Sequence, residues 1–264
     1  MSGPATPRDA GPLTGGAAGH DGAAVAAAGA AAPRPHADRR PMRPAVALLR
    51  KDLLLERRSP EAIPAMLLFS VTTFVLFHFG LGRDTVSGQL AAGVLTVTIL
   101  FAAILGINRL FVSEQEEGGF DGVLLAPIDR TALFVAKAAA LFSFLALVEV
   151  ATVAAFALLL LGPSPWPALP GLILILALLD GALALVGTLV SALAIRTRAR
   201  DLIVPIVALP LLVPALIAAA RGAAPLLAAG GAGSIPTKWL AMLALYDLVF
   251  GLLAYAVFDF LLED

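Results

Sequence analysis

Six long apolar runs dominate this chain, at roughly 62–82, 88–112, 131–162, 170–195, 202–220 and 239–262. Each reaches about 18 residues or more, the length at which a helix spans the roughly 30 Å hydrocarbon layer. The expected fold is therefore all-α integral membrane, with six transmembrane helices. Composition agrees: of 264 residues 59% are hydrophobic and 14% charged, with mean hydropathy +0.93. No stretch outside the runs is long enough for a soluble domain of ordinary size.

The cations are segregated. Of the 18 Lys and Arg, nine precede the first run: Arg8, Arg34, Arg39, Arg40, Arg43, Arg50, Lys51, Arg57 and Arg58. Arg109, Arg130 and Lys137 flank the second junction, and Arg196, Arg198 and Arg200 the fourth. The alternate junctions hold only Arg83, Arg221 and Lys238. Cytoplasmic loops retain Lys and Arg, so both termini are expected in the cytoplasm. The basic N-terminal region suits anionic lipid headgroups, each cation contributing about 1 kcal/mol near the surface. No basic soluble module follows it, which argues against a nucleic-acid partner.

Residues 1–43 form a Gly, Ala and Pro tract expected to be disordered, because Ala and Gly bury little area against their ordering entropy. Met42 is an alternative start. Residues 44–58 read as an amphipathic helix on the inner surface: Arg50, Lys51, Arg57 and Arg58 share one arc, while Val46, Leu49 and Leu53 form a stripe elsewhere. Ser59-Pro60-Glu61 then suggests a new helix start, with Ser59 as its N-cap. The first domain is thus the 1–43 tail and the second a six-helix bundle over 44–264.

One connector is unlike the others. Between runs two and three lie Glu114, Glu116 and Glu117, then Phe120-Asp121, then Leu124, Leu125 and Pro127. A solvated linker needs no apolar cluster, so an acidic and greasy segment here is expected to dock on something. Run five carries Pro205, Pro210 and Pro214, each of which removes a backbone donor, so this helix is expected to be kinked or broken. Residues 221–238 are expected outside, forming short re-entrant or interfacial helices.

Chemistry of the catalytic kind is nearly absent. There is no Cys, which removes disulfides and thiolate metal sites, and the four Met lie at 1, 42, 66 and 242, too sparse for a soft-metal path. None of Lys51, Lys137 and Lys238 follows Gly, so no P-loop exists. His78, near the outer end of run one, reads as an interfacial polar residue in preference to a haem or metal ligand. No catalytic or metal-ligating residues are expected. Three carboxylates do fall in the middle of spans: Glu149, Asp180 and Asp247. Each costs roughly 2.5–3.5 kcal/mol to insert unpaired, so each should face the bundle or a wet cavity, in protonated form. They form either a polar path or interhelical hydrogen bonds.

Taken together, Leu49-Arg50-Lys51-Asp52, Gly106-Ile-Asn-Arg-Leu-Phe111, the acidic loop ending Leu124-Leu125-Ala126-Pro127, Ala194-Ile-Arg196 and Leu209-Pro210-Leu-Leu-Val-Pro214 resemble the haem exporter protein B (cytochrome c maturation protein B) family, permeases of the type-2 ABC transporter superfamily. The resemblance covers about 45–262. Gly122-Val123 departs from the family's usual acidic-then-Leu pattern, and the long N-terminal tail has no counterpart there. The resemblance implies a six-helix permease half paired with a second permease chain, itself or of the protein C type. A separate ATPase of the protein A type would bind ATP. The implied role is c-type cytochrome maturation in the bacterial inner membrane: release of a haem-loaded chaperone, with haem as a candidate substrate and no cofactor held by this chain. The loop from Glu114 to Pro127 would be the coupling helix. Two alternatives stand beside this reading: a type-2 permease for a lipid, polysaccharide or drug, and an intramembrane enzyme or scaffold without an ATPase.

Overall fold

The computed structural model describes residues 42–83, 85–109, 130–161, 166–194, 200–229 and 233–261, and among these every regular element is helical. Helix α1 runs from Met42 to Arg58, α2 from Ala62 to Gly80 and α3 from Gly88 to Arg109. Helix α4 covers Arg130–Phe156 and continues as a π-helical turn, Ala157–Leu161. After a 3-10 turn at Trp166–Ala168 come α5 (Leu169–Ala194), α6 (Arg200–Ala223) and α7 (Thr237–Leu261). Six of these, α2 to α7, are long and apolar enough to cross a membrane. Each matches one of the six apolar runs to within a few residues. Met42 and Arg43 already belong to α1; the rest of the 1–43 tract lies outside the described residues.

Helices α3 and α5 form the centre. In their most apolar windows 72% and 67% of residues are buried, against 11% in α7. Helix α5 packs on α4, α6 and α7, while α3 packs on α2 and α6. Lipid supplies no hydrophobic force between helices, so close backbone approach has to do the work. Gly187 on α5 is such a point: a Cβ there would lie 2.6 Å from the Ile107 side chain of α3 and 3.2 Å from Leu141 of α4. Ile107 and Leu141 are themselves fully buried, so neither has room to retreat.

Three sequence expectations are narrowed or changed. Of the kink or break expected in α6 the break is absent: Pro205, Pro210 and Pro214 all lie inside one continuous helix. Each proline frees the carbonyl four residues before it, and helical φ suits the ring itself, so the break depends on whether neighbours accommodate the freed groups. Tyr246 of α7 bonds beside one such group, not to it. Its hydroxyl donates to the Leu211 carbonyl at 2.7 Å, beside the carbonyl that Pro214 frees. The segment after α6 forms a turn over residues 224–227, with no helix among its described residues before α7. It folds back on the bundle: Leu226 and Leu227 are buried, and the Leu227 carbonyl accepts from the Gly88 amide.

The third change is at the start of α2. Ser59 is not its N-cap. Glu61 occupies that position without a side-chain cap bond, and the cap comes from the helix before. Glu56 Oε1, in the last turn of α1, accepts from the amides of Glu61 (3.1 Å) and Ile63 (2.8 Å). A helix start leaves its first amides without intrahelical partners, and a carboxylate there also meets the positive end of the helix dipole. One side chain therefore fixes the corner between α1 and α2.

Candidate functional site

Among the described residues, two polar regions stand out in a largely apolar bundle. The first is a layer of carboxyl groups at mid-span. Glu149 lies twelve residues before the end of the π-helical turn at Leu161, Asp180 eleven after the start of α5, and Asp247 ten after the start of α7. At 1.5 Å per residue, all three sit about 15–18 Å from the same end of the bundle. Glu149 and Asp180 face each other as neighbours across α4 and α5. Asp247 lies against α5 at Gly181, where a Cβ would come within 2.9 Å of its Oδ2.

This layer is poorly satisfied. Glu149 Oε1, both Asp180 oxygens and Asp247 Oδ1 are buried without a well-formed hydrogen bond. So is the hydroxyl of Thr152, three residues after Glu149 and on the same helix face. Asp180 and Thr152 are each 1% exposed. A buried polar group left without a partner costs about 1–3 kcal/mol, so such a cluster calls for protons shared between carboxyls, or for ordered water. The sequence expectation that these three residues face the bundle describes Asp180 well; Glu149 is half-buried and also borders the bundle surface.

The second region lies at the end of the bundle that carries α1. The eight residues expected to couple to a partner, Glu114, Glu116, Glu117, Phe120, Asp121, Leu124, Leu125 and Pro127, fall in 110–129, outside the described residues. Both roots of that loop are described. At one root Arg109, the last residue of α3, forms an ion pair with Glu61 at the start of α2. At the other root α4 packs beneath α1: Ala132 and Ala136 cluster with Ala45 and Leu48. Lys137 Nζ then meets Asp52 Oδ2 of α1 at 3.0 Å, with side-chain exposures of 2% and 10%.

Sequence reasoning placed Lys137 among the loop-flanking cations. It sits seven residues into α4, about 10 Å along the helix, and buried. The available signal was a lone lysine two turns inside an apolar run, together with a lone aspartate on a basic helix. Such groups inside a span are tolerated when each finds the other. The pairing also fixes which face of α1 turns inward. Ala45 is buried and Leu48 and Asp52 are half-buried, whereas Val46 (59%) and Leu53 (40%), expected in the apolar stripe, are exposed. The outward face, with Val46, Arg50, Leu54 and Arg58, borders a shallow groove of about 600 Å³ and mixes apolar with basic side chains.

His78 has a structural partner: its Nδ1 lies 2.6 Å from the Leu159 carbonyl in the π-helical turn. A carbonyl only accepts, so Nδ1 carries the proton. Carbonyls in the last turn of a helix lack intrahelical partners, and the Val86 amide uses the next one, Leu160, at 2.7 Å.

Six apolar spans, two of them central, a polar mid-span layer and a surface helix pinned to span three define a polytopic α-helical membrane protein. Residues 43–260 match the model of the CcmB protein family, and the chain belongs to that family. It is 34% identical over 199 residues to "Heme exporter protein B" of Rhodobacter capsulatus, covering 75% of this chain and 88% of that one. The protein of the same name from Paracoccus denitrificans is 32% identical over 200 residues (75% and 88%). That from Bradyrhizobium diazoefficiens is 31% identical over 212 (80% and 94%). The chain is accordingly a multi-pass protein of the bacterial inner membrane.

Proposed function

We propose that this chain is the membrane permease subunit of an ABC transporter of haem-exporter type, acting in c-type cytochrome maturation and driven by a separate ATPase. The observation that carries the reading is the family match across 43–260, which spans α1 and nearly all of the six-helix bundle. The missing P-loop supports it, since a chain without a nucleotide site must borrow its energy. In this reading the termini and the loop between α3 and α4 face the cytoplasm, where Lys and Arg concentrate. Phe120, Leu124 and Leu125 seat in a groove on the ATPase, and Glu114, Glu116, Glu117 and Asp121 meet basic residues around it. Closure of the ATPase pair then tilts α3 and α4. A second permease chain, a copy of this one or of the protein C type, completes the path. The work performed is release of a haem-loaded chaperone at the outer face, with haem as the candidate substrate. The outward basic face of α1 rests on anionic lipid headgroups.

The test is co-purification from native membranes, followed by cytochrome output. The tagged chain should bring down an ABC ATPase, and Phe120→Asp with Leu124→Asp should lose both that subunit and mature c-type cytochromes. Retention of the ATPase by the double variant defeats the docking model. An ATPase that binds while deletion of this chain leaves cytochromes untouched points instead to a lipid, polysaccharide or drug permease. No ATPase at all favours an enzyme or scaffold.

A further inference from the structure

We infer that the Asp52–Lys137 pair and Glu56 make α1 a strut that ties together both roots of the 110–129 loop, so that Asp52, Lys137 and Glu56 are positioning residues for energy coupling. The inference rests on the coupling role proposed above for that loop. Its geometry is a chain of four contacts. The loop delivers into α4, where Lys137 is held by Asp52 of α1 at 3.0 Å. One turn further along α1, Glu56 caps α2 through the amides of Glu61 and Ile63. Glu61 pairs in turn with Arg109, the last described residue before the loop. The path leaves the loop at one root and returns to it at the other.

The four contacts are not equal. The Glu61–Arg109 pair is half exposed, with side-chain exposures of 58% and 50%, and surface pairs contribute little. The Asp52–Lys137 pair is nearly dry. There water screens the attraction little, so the contact holds α1 and α4 together firmly. The burial of Ala45, Ala132 and Ala136 around it lets the two helices approach closely. A push delivered to the start of α4 therefore carries α1 with it as one body. Through the Glu56 cap it moves the start of α2 as well. Without the strut, α4 tilts alone and α2 stays behind.

The test uses the complete transporter with its ATPase, reconstituted in lipid, and reads cytochrome matured per ATP hydrolysed. Asp52→Asn and Lys137→Met should each leave the ATPase bound and hydrolysing, while that ratio drops about tenfold, the scale on which mutations along a coupling network act. The exchanged pair, Asp52→Lys with Lys137→Asp, should recover most of the loss. The chain has no cysteine, so Asp52→Cys with Lys137→Cys can be bridged selectively by a short bis-maleimide, which spans side chains too far apart for a disulfide. Bridging should restore coupling in that variant, and the unbridged form should lack it. Single variants that retain the ratio with the ATPase bound overturn the strut and leave the docking model intact. A bridged pair that blocks a working unbridged form overturns it too, because α1 would then have to part from α4. If the wild-type chain binds no ATPase, both readings fall together.

Discussion

Gly181 of α5 and Asp247 of α7 share a space that admits only one of their side chains: a Cβ on the glycine would stand 2.9 Å from the aspartate Oδ2. This contact seats the least buried span on one of the two central ones at mid-membrane depth. Any residue larger than Gly at 181 must displace either the carboxyl or the whole of α7. Gly181→Ala should lower stability by about 1–3 kcal/mol, the usual cost of overpacking. Adding Asp247→Ala should recover much of it. Unfolding of the detergent-solubilised protein, followed by helical circular dichroism, reads both.

Gly187 and Gly93 should behave in opposite ways. A Cβ at 187 meets Ile107 at 2.6 Å, whereas one at 93 meets nothing within 4 Å. Gly187→Val should fail to accumulate in the membrane. Gly93→Ala should be neutral or gain up to about 1 kcal/mol from reduced backbone entropy. Immunoblots of membrane fractions check the first and thermal unfolding the second.

Removing one atom from Tyr246 tests the support of the proline-bearing helix. Tyr246→Phe deletes the bond to the Leu211 carbonyl but keeps the ring stacked on Phe250, whose centroid is 4.4 Å away. The expected loss is about 0.6 kcal/mol and at most about 1.7 kcal/mol, the average and the maximum for hydrogen bonds between spans. Hydrogen exchange should rise at amides near Pro214 and not in α3.

At the α1–α2 corner, Glu56→Ala should cost about 1 kcal/mol, as lost caps do, and expose the Glu61 and Ile63 amides to exchange. Glu56→Gln keeps an acceptor oxygen and should protect both amides nearly as well as the wild-type residue. Equal exchange in all three proteins would exclude the cap.

Asp180→Asn should be neutral or stabilising, because an amide brings donors to a layer of unpartnered acceptors. Asp180→Ala leaves a void and removes Glu149's neighbour, and should cost about 1–3 kcal/mol. Thermal unfolding separates the two variants. An Asn variant less stable than the Ala variant would mean the layer has no shortage of donors.

The spans were legible because a membrane crossing is a local property: length and apolarity decide it, and each of the six runs became one helix. The mid-span depth of Glu149, Asp180 and Asp247 followed from counting residues. Contacts made between helices did not. Lys137 looked like a loop cation because its partner, Asp52, is 85 positions earlier in the chain. Ser59 looked like an N-cap because capping is usually supplied by the preceding residue, and here a glutamate from the previous helix supplies it. The prolines suggested a kink or a break because their cost depends on the neighbouring helices, which the local sequence does not display. The eight loop residues proposed to meet the ATPase lie outside the described residues.

With only 11% of its window packed against protein, α7 presents Leu245, Leu248, Leu252 and Tyr255 outward, each at least 58% exposed. Where no second permease chain covers this face, the acyl chains themselves form most of its first coordination layer. Its tilt and seating should then track bilayer thickness and chain order, and extraction into a short-chain surfactant should disturb it before any other span.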